Sequence, residues 1–99
     1  MIEIRSTSAY DKWFKRLRDE RAKSRINARI IRLAIGNAGD VKGVGGGVSE
    51  LRIDYGPGYR IYFMRRGDVY ILLLCGGDKS SQAEDIDEAK KLSREIGSK

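Results

Sequence analysis

The most constraining stretch of the chain runs from Glu50 to Phe63, Glu-Leu-Arg-Ile-Asp-Tyr-Gly-Pro-Gly-Tyr-Arg-Ile-Tyr-Phe. Leu51 and Ile53 alternate with Glu50, Arg52 and Asp54, and Tyr59, Ile61 and Phe63 alternate with Arg60 and Tyr62. This period of two predicts a pair of strands, each with one buried face. Tyr55-Gly-Pro-Gly58 supplies the turn, because proline fixes φ and glycine accepts positive φ. Residues opposite each other across a hairpin share a face. With Leu51, Ile53, Tyr59 and Ile61 on the buried face, the loop must hold an odd number of residues. Arg52, Arg60 and Tyr62 then meet on the other face. Two guanidiniums and a phenol there suit a phosphate. A solvated outer face is the alternative that the same residues allow.

The flanking segments give the rest of an α+β domain. Ile2 to Ser6 alternates and predicts a short first strand. Thr7 or Ser8 starts a helix, with Ser8 and Asp11 spaced as a capping box. Tyr10, Trp13, Phe14 and Leu17 form its apolar stripe at helical spacing. A second helix is predicted from Ala22 to Ile35, with Ile26, Ile30 and Leu33 inward and Gly36-Asn37 as the stop. Arg21, Arg25, Arg29 and Arg32 fall on one band of its opposite side. Like charges at this spacing repel by about 0.2–0.5 kcal/mol per pair. Four in succession suit a run of phosphates, or simply a solvated face.

Asp40 to Gly47 is glycine-rich and is read as a flexible loop leading into the hairpin, with Lys42 placed to reach a ligand. It lacks the Gly-Lys-Ser/Thr ending and following helix of a phosphate loop. Arg65 to Asp68 forms a second turn. Val69 to Cys75 is the most continuously apolar run and should be the best-buried strand. Ser80 or Ser81 caps a last helix, whose acidic first half and basic second half suit the helix dipole. Ile86, Ala89, Leu92 and Ile96 form its inward stripe. The predicted order is β-α-α-β-β-β-α, with one mainly antiparallel sheet packed with helices.

The totals exclude several classes of function. Ninety-nine residues make one small domain, 1–99. There is no histidine, which removes histidine acid–base chemistry and histidine metal sites. No metal site or cofactor is expected. The single Cys75 cannot form an internal disulfide and lies in an apolar run, so a reducing cytoplasm is the simplest setting. No apolar run approaches the ~20 residues that span a membrane. The net charge is +6, and residues 1–35 hold ten Lys or Arg against four Asp or Glu, whereas the remainder is balanced. The excess on the N-terminal third favours a polyanionic partner, such as nucleic acid or an acidic protein segment.

The element order, with Leu51-Arg-Ile-Asp-Tyr-Gly-Pro-Gly-Tyr-Arg-Ile-Tyr-Phe63 and Gly76-Gly-Asp-Lys-Ser-Ser-Gln-Ala-Glu-Asp-Ile86, resembles the RelE/ParE toxin superfamily. Within it the chain looks most like the HigB-like, phage-related addiction module killer group. The resemblance covers nearly the whole chain. It implies a type II toxin–antitoxin toxin that acts as a ribosome-dependent mRNA endonuclease through metal-independent attack by the RNA's 2′-hydroxyl. It also implies a cognate antitoxin, often a helix-turn-helix repressor, and operator DNA reached only through that antitoxin. The runner-up is a non-enzymatic, ParE-like inhibitor of DNA gyrase.

Cleavage of this kind requires in-line placement, stabilised charge on phosphorus and assisted proton movement. Arg60 matches the family's strand arginine and is assigned to phosphate charge. Arg52 is a second phosphate ligand, and Lys79 a cation for the leaving oxygen. Tyr62 is expected to orient the RNA or stack on a base. Ser80 and Gln82 are candidates for hydrogen bonds to it. Where RelE carries two lysines this chain has Val48 and Glu50, and where RelE has a tyrosine in its last helix this chain has Ile86. Glu50, Lys79 or Tyr62 is therefore expected to take over acid–base work. Arg21, Arg25, Arg29 and Arg32 would grip ribosomal RNA.

Overall fold

A computed structural model describes residues 1–97. Five strands, β1 (Glu3–Ser6), β2 (Val41–Gly45), β3 (Val48–Ile53), β4 (Tyr59–Arg66) and β5 (Tyr70–Gly77), form one sheet. Three helices accompany it, α1 (Ser8–Arg16), α2 (Glu20–Ala34) and α3 (Gln82–Gly97), with a 3-10 turn at Lys79–Ser81. The sheet order is β1-β5-β4-β3-β2. β1 runs parallel to β5, and every other pairing is antiparallel. The expected α+β architecture is present. The glycine-rich stretch expected as a loop supplies an additional edge strand, β2, paired with β3 through a bulge between Gly43 and Gly45.

The β3–β4 register follows the alternation. Leu51 faces Ile61, Ile53 faces Tyr59, and Arg52 faces Arg60 across a five-residue loop, Asp54 to Gly58. Gly56 and Gly58 both take positive φ there, a conformation a Cβ disfavours. Tyr55 Oη donates to Asp19 Oδ2 at 3.0 Å, which ties this turn to the start of α2. Asp19 is the N-cap of α2, accepting from the Arg21 and Ala22 amides. Those amides, Ala22 first, and the Tyr55 hydroxyl hold its carboxyl below the usual range. The break at Asp19-Glu20 is thus a helix start, earlier than the expected Ala22. For α1 the cap is Thr7, whose Oγ1 accepts from the Tyr10 amide at 3.1 Å. Asp11 does not close the expected box with Ser8. It accepts from Ser6 Oγ at 2.7 Å instead.

Both faces of the sheet are covered. One packs Leu51, Ile53, Ile61, Phe63, Ile71 and Leu73 against Tyr10, Ile26, Ile30 and Leu33 of α1 and α2. The other packs Val48, Tyr62, Met64, Leu72, Leu74 and Cys75 against Ala89, with Ile86, Leu92 and Ile96 of α3 alongside. A bulge in the β4–β5 ladder between Tyr62 and Phe63 shifts the pairing by one residue. Because both faces are covered, four successive residues of β4, Ile61 to Met64, are buried. Among the described residues no helix is long and apolar enough to cross a membrane.

Candidate functional site

The second face of the sheet changes character where α3 begins. Below α3 it is apolar; beyond Gln82 it carries Arg52, Arg60 and Glu50. Arg52 and Arg60 stand directly opposite each other, an arrangement that like charges disfavour. Glu50, two residues back on β3 and on the same face, supplies the compensating charge. Its side chain is fully buried. Glu50 Oε1 lies 3.3 Å from Arg60 Nη1 and 3.9 Å from Arg52 Nε. Glu50 Oε2 accepts from Tyr62 Oη at 3.0 Å and from Gln82 Nε2 at 2.9 Å. One carboxylate thus orients both guanidiniums while a phenol and an amide fill its remaining lone pairs.

The arginines line a cleft of about 320 Å³ with Asp40, Asp54, Gly58, Tyr59 and Lys79. Arg60 is the more enclosed, with its side chain 12% exposed, against 37% for Arg52. The Nε of each is buried and makes no hydrogen bond among the described residues. Arg52 Nη2 pairs with Asp40 Oδ1 at 3.1 Å. Lys79 is exposed on the 3-10 turn and faces the same cleft. Three cations around one opening suit a phosphate oxygen by charge.

The structure distributes the other candidates differently. Tyr62 is completely enclosed. Burial first, then its bond to Glu50, pushes its hydroxyl well above the usual value. Its ring therefore has no open face on which a base could stack, contrary to the expectation from sequence. Gln82 reaches Glu50 and not the cleft. Ser80 is turned onto Asp78, donating from its amide at 2.8 Å and from Oγ at 2.5 Å. Lys42 is exposed on edge strand β2, opposite Glu50 in register.

The arginine band of α2 is also divided. Arg21, Arg25 and Arg32 are exposed. Arg25 lies over the Tyr55 ring at 4.6 Å. Arg29 is half-buried, donating to the carbonyls of Arg52 at 2.7 Å and Ala38 at 3.1 Å. It clamps the segment before β2 to the end of β3, so its guanidinium is not free to grip ribosomal RNA.

Three carboxylates near the site escaped the sequence reading. Asp40 and Asp54 line the cleft. Asp85 of α3 lies over Gly77, where an added Cβ would collide with its carboxylate. Gly77 faces Arg60 in register, so the glycine makes room for Asp85 on the site's own face. Burial raises the Asp85 carboxyl, and the Ser81 hydroxyl, donating at 2.5 Å, works the other way. Recognising β2 as a strand would have brought Asp40 opposite Arg52.

No family model matches the chain. A Haemophilus influenzae protein described as uncharacterized is 52% identical over 96 residues, covering 97% of each chain. Among solved structures, a chain of the intact Escherichia coli RelBE toxin–antitoxin complex superposes with a TM-score of 0.65 at 11% identity. The match covers 79% of this chain and 96% of that one. A conserved hypothetical protein of Helicobacter pylori gives a TM-score of 0.51 at 20% identity, covering 81% and 97%. At these identities the structural likeness establishes the fold.

Proposed function

For a chain that belongs to one family with the Haemophilus influenzae protein and has a RelE-like fold, we propose the role of toxin in a type II toxin–antitoxin system. Its activity is ribosome-dependent endonucleolytic cleavage of mRNA in the cytoplasm. The observation that carries this reading is the convergence of Arg52, Arg60 and Lys79 on one cleft. The Gly-Pro-Gly-Tyr-Arg and Gly-Gly-Asp-Lys-Ser motifs further favour the HigB-like group. Its partners are a cognate antitoxin, of helix-turn-helix type as in that group, and the ribosome with its mRNA. Operator DNA is reached only through the antitoxin.

In this reaction the 2′-hydroxyl of the RNA attacks the adjacent phosphorus. A 2′,3′-cyclic phosphate forms and the 5′-oxygen leaves with a proton. Arg60 and Arg52 hold the phosphoryl oxygens and take up the charge that develops on them. Lys79, a mobile ammonium with three donors, serves the leaving oxygen. Glu50 and Tyr62 act by position, since Glu50 is occupied with Arg60, Gln82 and Tyr62 itself. The carboxylates that the cleft offers as proton acceptors are Asp40 and Asp54. Exposed Arg21, Arg25, Arg32 and Lys42 contact ribosomal RNA.

The test is induced expression in bacteria with mRNA 5′-ends mapped within minutes, beside Arg60→Ala and Lys79→Ala. Lys79 is exposed, so its variant separates lost chemistry from lost folding. Cuts inside translated frames that vanish in both variants are the expected result. Growth arrest with DNA damage and no such cuts would replace this reading with a non-enzymatic gyrase inhibitor.

A further inference from the structure

Arg60 and Arg52 hold their carboxylate partners in different ways. Arg60 pairs with Glu50, which is fully buried and also bound by Tyr62 and Gln82. That partner is fixed. Arg52 Nη2 pairs at 3.1 Å with Asp40, whose side chain is 60% exposed. Among the described residues no other group holds the Asp40 carboxylate. The main chain there is as firm as the carboxylate is loose. The Arg52 amide donates to the Asp40 carbonyl at 3.0 Å. Arg29 reaches from α2 to the Ala38 carbonyl at 3.1 Å and to the Arg52 carbonyl at 2.7 Å. Gly39, with φ at +76°, lies between them, and a Cβ there would stand 3.0 Å from Arg29 Nη2. The glycine lets the segment run against the guanidinium. The chain from Ala38 to Asp40 is thus pinned beside the end of β3, and the side-chain torsions of Asp40 remain free. Released from Arg52, the carboxylate swings about χ1 and stays on the rim of the cleft.

The charges around the cleft decide what displaces it. With Glu50 behind, three carboxylates, Glu50, Asp40 and Asp54, face Arg52, Arg60 and Lys79. A phosphate that takes Arg52 therefore gains there only the difference between its own bonds and those of Asp40. The carboxylate left on the rim is an acceptor without a donor. A ligand with a hydroxyl beside its phosphate satisfies both groups. In a nucleic acid that hydroxyl is the ribose 2′-hydroxyl, on the carbon next to the 3′-phosphate, and DNA lacks it. We propose that Asp40 makes this cleft select ribose: a phosphate displaces the Asp40 carboxylate from Arg52, and the freed carboxylate accepts from the 2′-hydroxyl beside that phosphate. The proposal rests on the reading of the cleft as an RNA phosphate site. Arg60, held by Glu50, is the fixed anchor for the phosphate, and Arg52 is the exchangeable one.

The full chain is titrated, at fixed pH and ionic strength, with uridine 3′-monophosphate, its 2′-deoxy and 2′-O-methyl analogues, and inorganic phosphate. NMR follows the Nε–H groups of Arg52 and Arg60. None of these ligands carries a scissile 5′-oxygen, so cleavage plays no part. The ribonucleotide should bind roughly fivefold to tenfold more tightly than either analogue, as expected for a hydrogen bond to a half-exposed charge. The 2′-O-methyl compound keeps the oxygen and loses the donor, so it should behave like the deoxy compound. Asp40→Ala should abolish the preference and bind inorganic phosphate about twofold to fivefold more tightly, because the competing anion is gone. Asp40→Asn keeps an acceptor, so it should gain phosphate affinity and retain part of the preference. Asp40 is exposed and joins β3 through its carbonyl, so both variants keep the fold. Equal affinity for the ribonucleotide and its analogues would overturn the proposal. So would a preference that survives Asp40→Ala or is lost only in Asp54→Ala, or unchanged phosphate binding in Asp40→Ala. If no ligand binds, the phosphate reading of the cleft falls and the proposal with it. No arm uses the ribosome, so failure of the toxin reading is seen separately in the 5′-end map.

Discussion

Glu50→Gln tests whether one buried charge holds the two guanidiniums. In the wild type, Oε1 faces Arg60 and Arg52, and Oε2 accepts from Tyr62 and Gln82. A glutamine offers one oxygen and one NH2, so one of these pairs must meet a donor. Placing the NH2 toward Tyr62 costs least, because the phenol oxygen can accept and Gln82 can turn its own oxygen inward. Hydrogen bonds are then largely kept, but the charge is not. Arg60, with its side chain 12% exposed and Arg52 opposite, is left without its counter-charge. Removing one partner of a buried pair costs about 3–5 kcal/mol. An isosteric neutral swap keeps a dipole in place and Arg60 has some contact with water, which brings the expected cost to about 2–3 kcal/mol. In a domain this small each kcal/mol moves Tm by about 4–8 °C, so a fall of roughly 10–20 °C is expected.

Circular dichroism melts, with urea unfolding for the free energy, measure that fall. Adding Arg60→Met should recover part of the loss, since the orphaned charge leaves with the arginine. The coupling between the two substitutions should be about 1–3 kcal/mol. A Glu50→Gln protein that melts within about 2 °C of wild type, or two substitutions whose costs simply add, would refute the reasoning.

Four further outcomes follow from groups in and near the site. Burial holds the folded Asp85 carboxyl above its unfolded value near 3.8, so ionisation opposes folding. That penalty is absent below the unfolded value and complete above the folded one. Asp85→Asn should therefore gain stability relative to wild type as pH rises from acid to neutral, and parallel pH–stability curves would contradict this. Gly77→Ala drives a methyl into the Asp85 carboxylate and should cost about 1–3 kcal/mol in urea unfolding, relieved in part by Asp85→Ala. Gly76→Ala meets the Trp13 ring, which has less room to yield, and should melt lower still. Burial pushes the Cys75 thiol up to about 12, so iodoacetamide should label it only as the chain unfolds. Rapid labelling in native buffer would show that α3 does not cover β5 as described.

What the sequence made legible was set by how regular each pattern was. The β3–β4 register could be derived because Leu51, Ile53, Tyr59 and Ile61 alternate without interruption up to a proline–glycine turn. The stripes of α1, α2 and α3 were legible for the same reason. β2 was hidden because its apolar residues, Val41 and Val44, are three apart, and the bulge at Gly43–Gly45 resets the alternation. Four glycines in seven residues then mimic a loop. Arg29 was misplaced because helical periodicity puts it beside Arg25 and Arg32. Nothing in that spacing reveals two carbonyls, of Ala38 and Arg52, waiting within its reach. Asp40 could not be joined to Arg52 while β2 was read as loop.

Tyr62 shows a different limit, and it explains why the site lies where it does. Alternation separates the faces of a strand but does not say which face is covered. Tyr62 shares a face with Arg52 and Arg60, so the arginines suggested water. Yet Ile86, Ala89, Leu92 and Ile96 of α3 had to bury their stripe somewhere, and the face carrying α1 and α2 was already full. The second face was what remained. α3 covers it only from Gln82 onward, and Gln82 is the residue that reaches Glu50. At that boundary the sheet passes from apolar contact to open cleft within the length of one side chain. A charge pair placed deeper would be wholly desolvated, and one placed farther out would be screened by water. Arg60, nearly enclosed but opening onto the cleft, keeps a strong field and still reaches the opening. The start of α3 thus determines both where Glu50 is buried and where its arginines emerge.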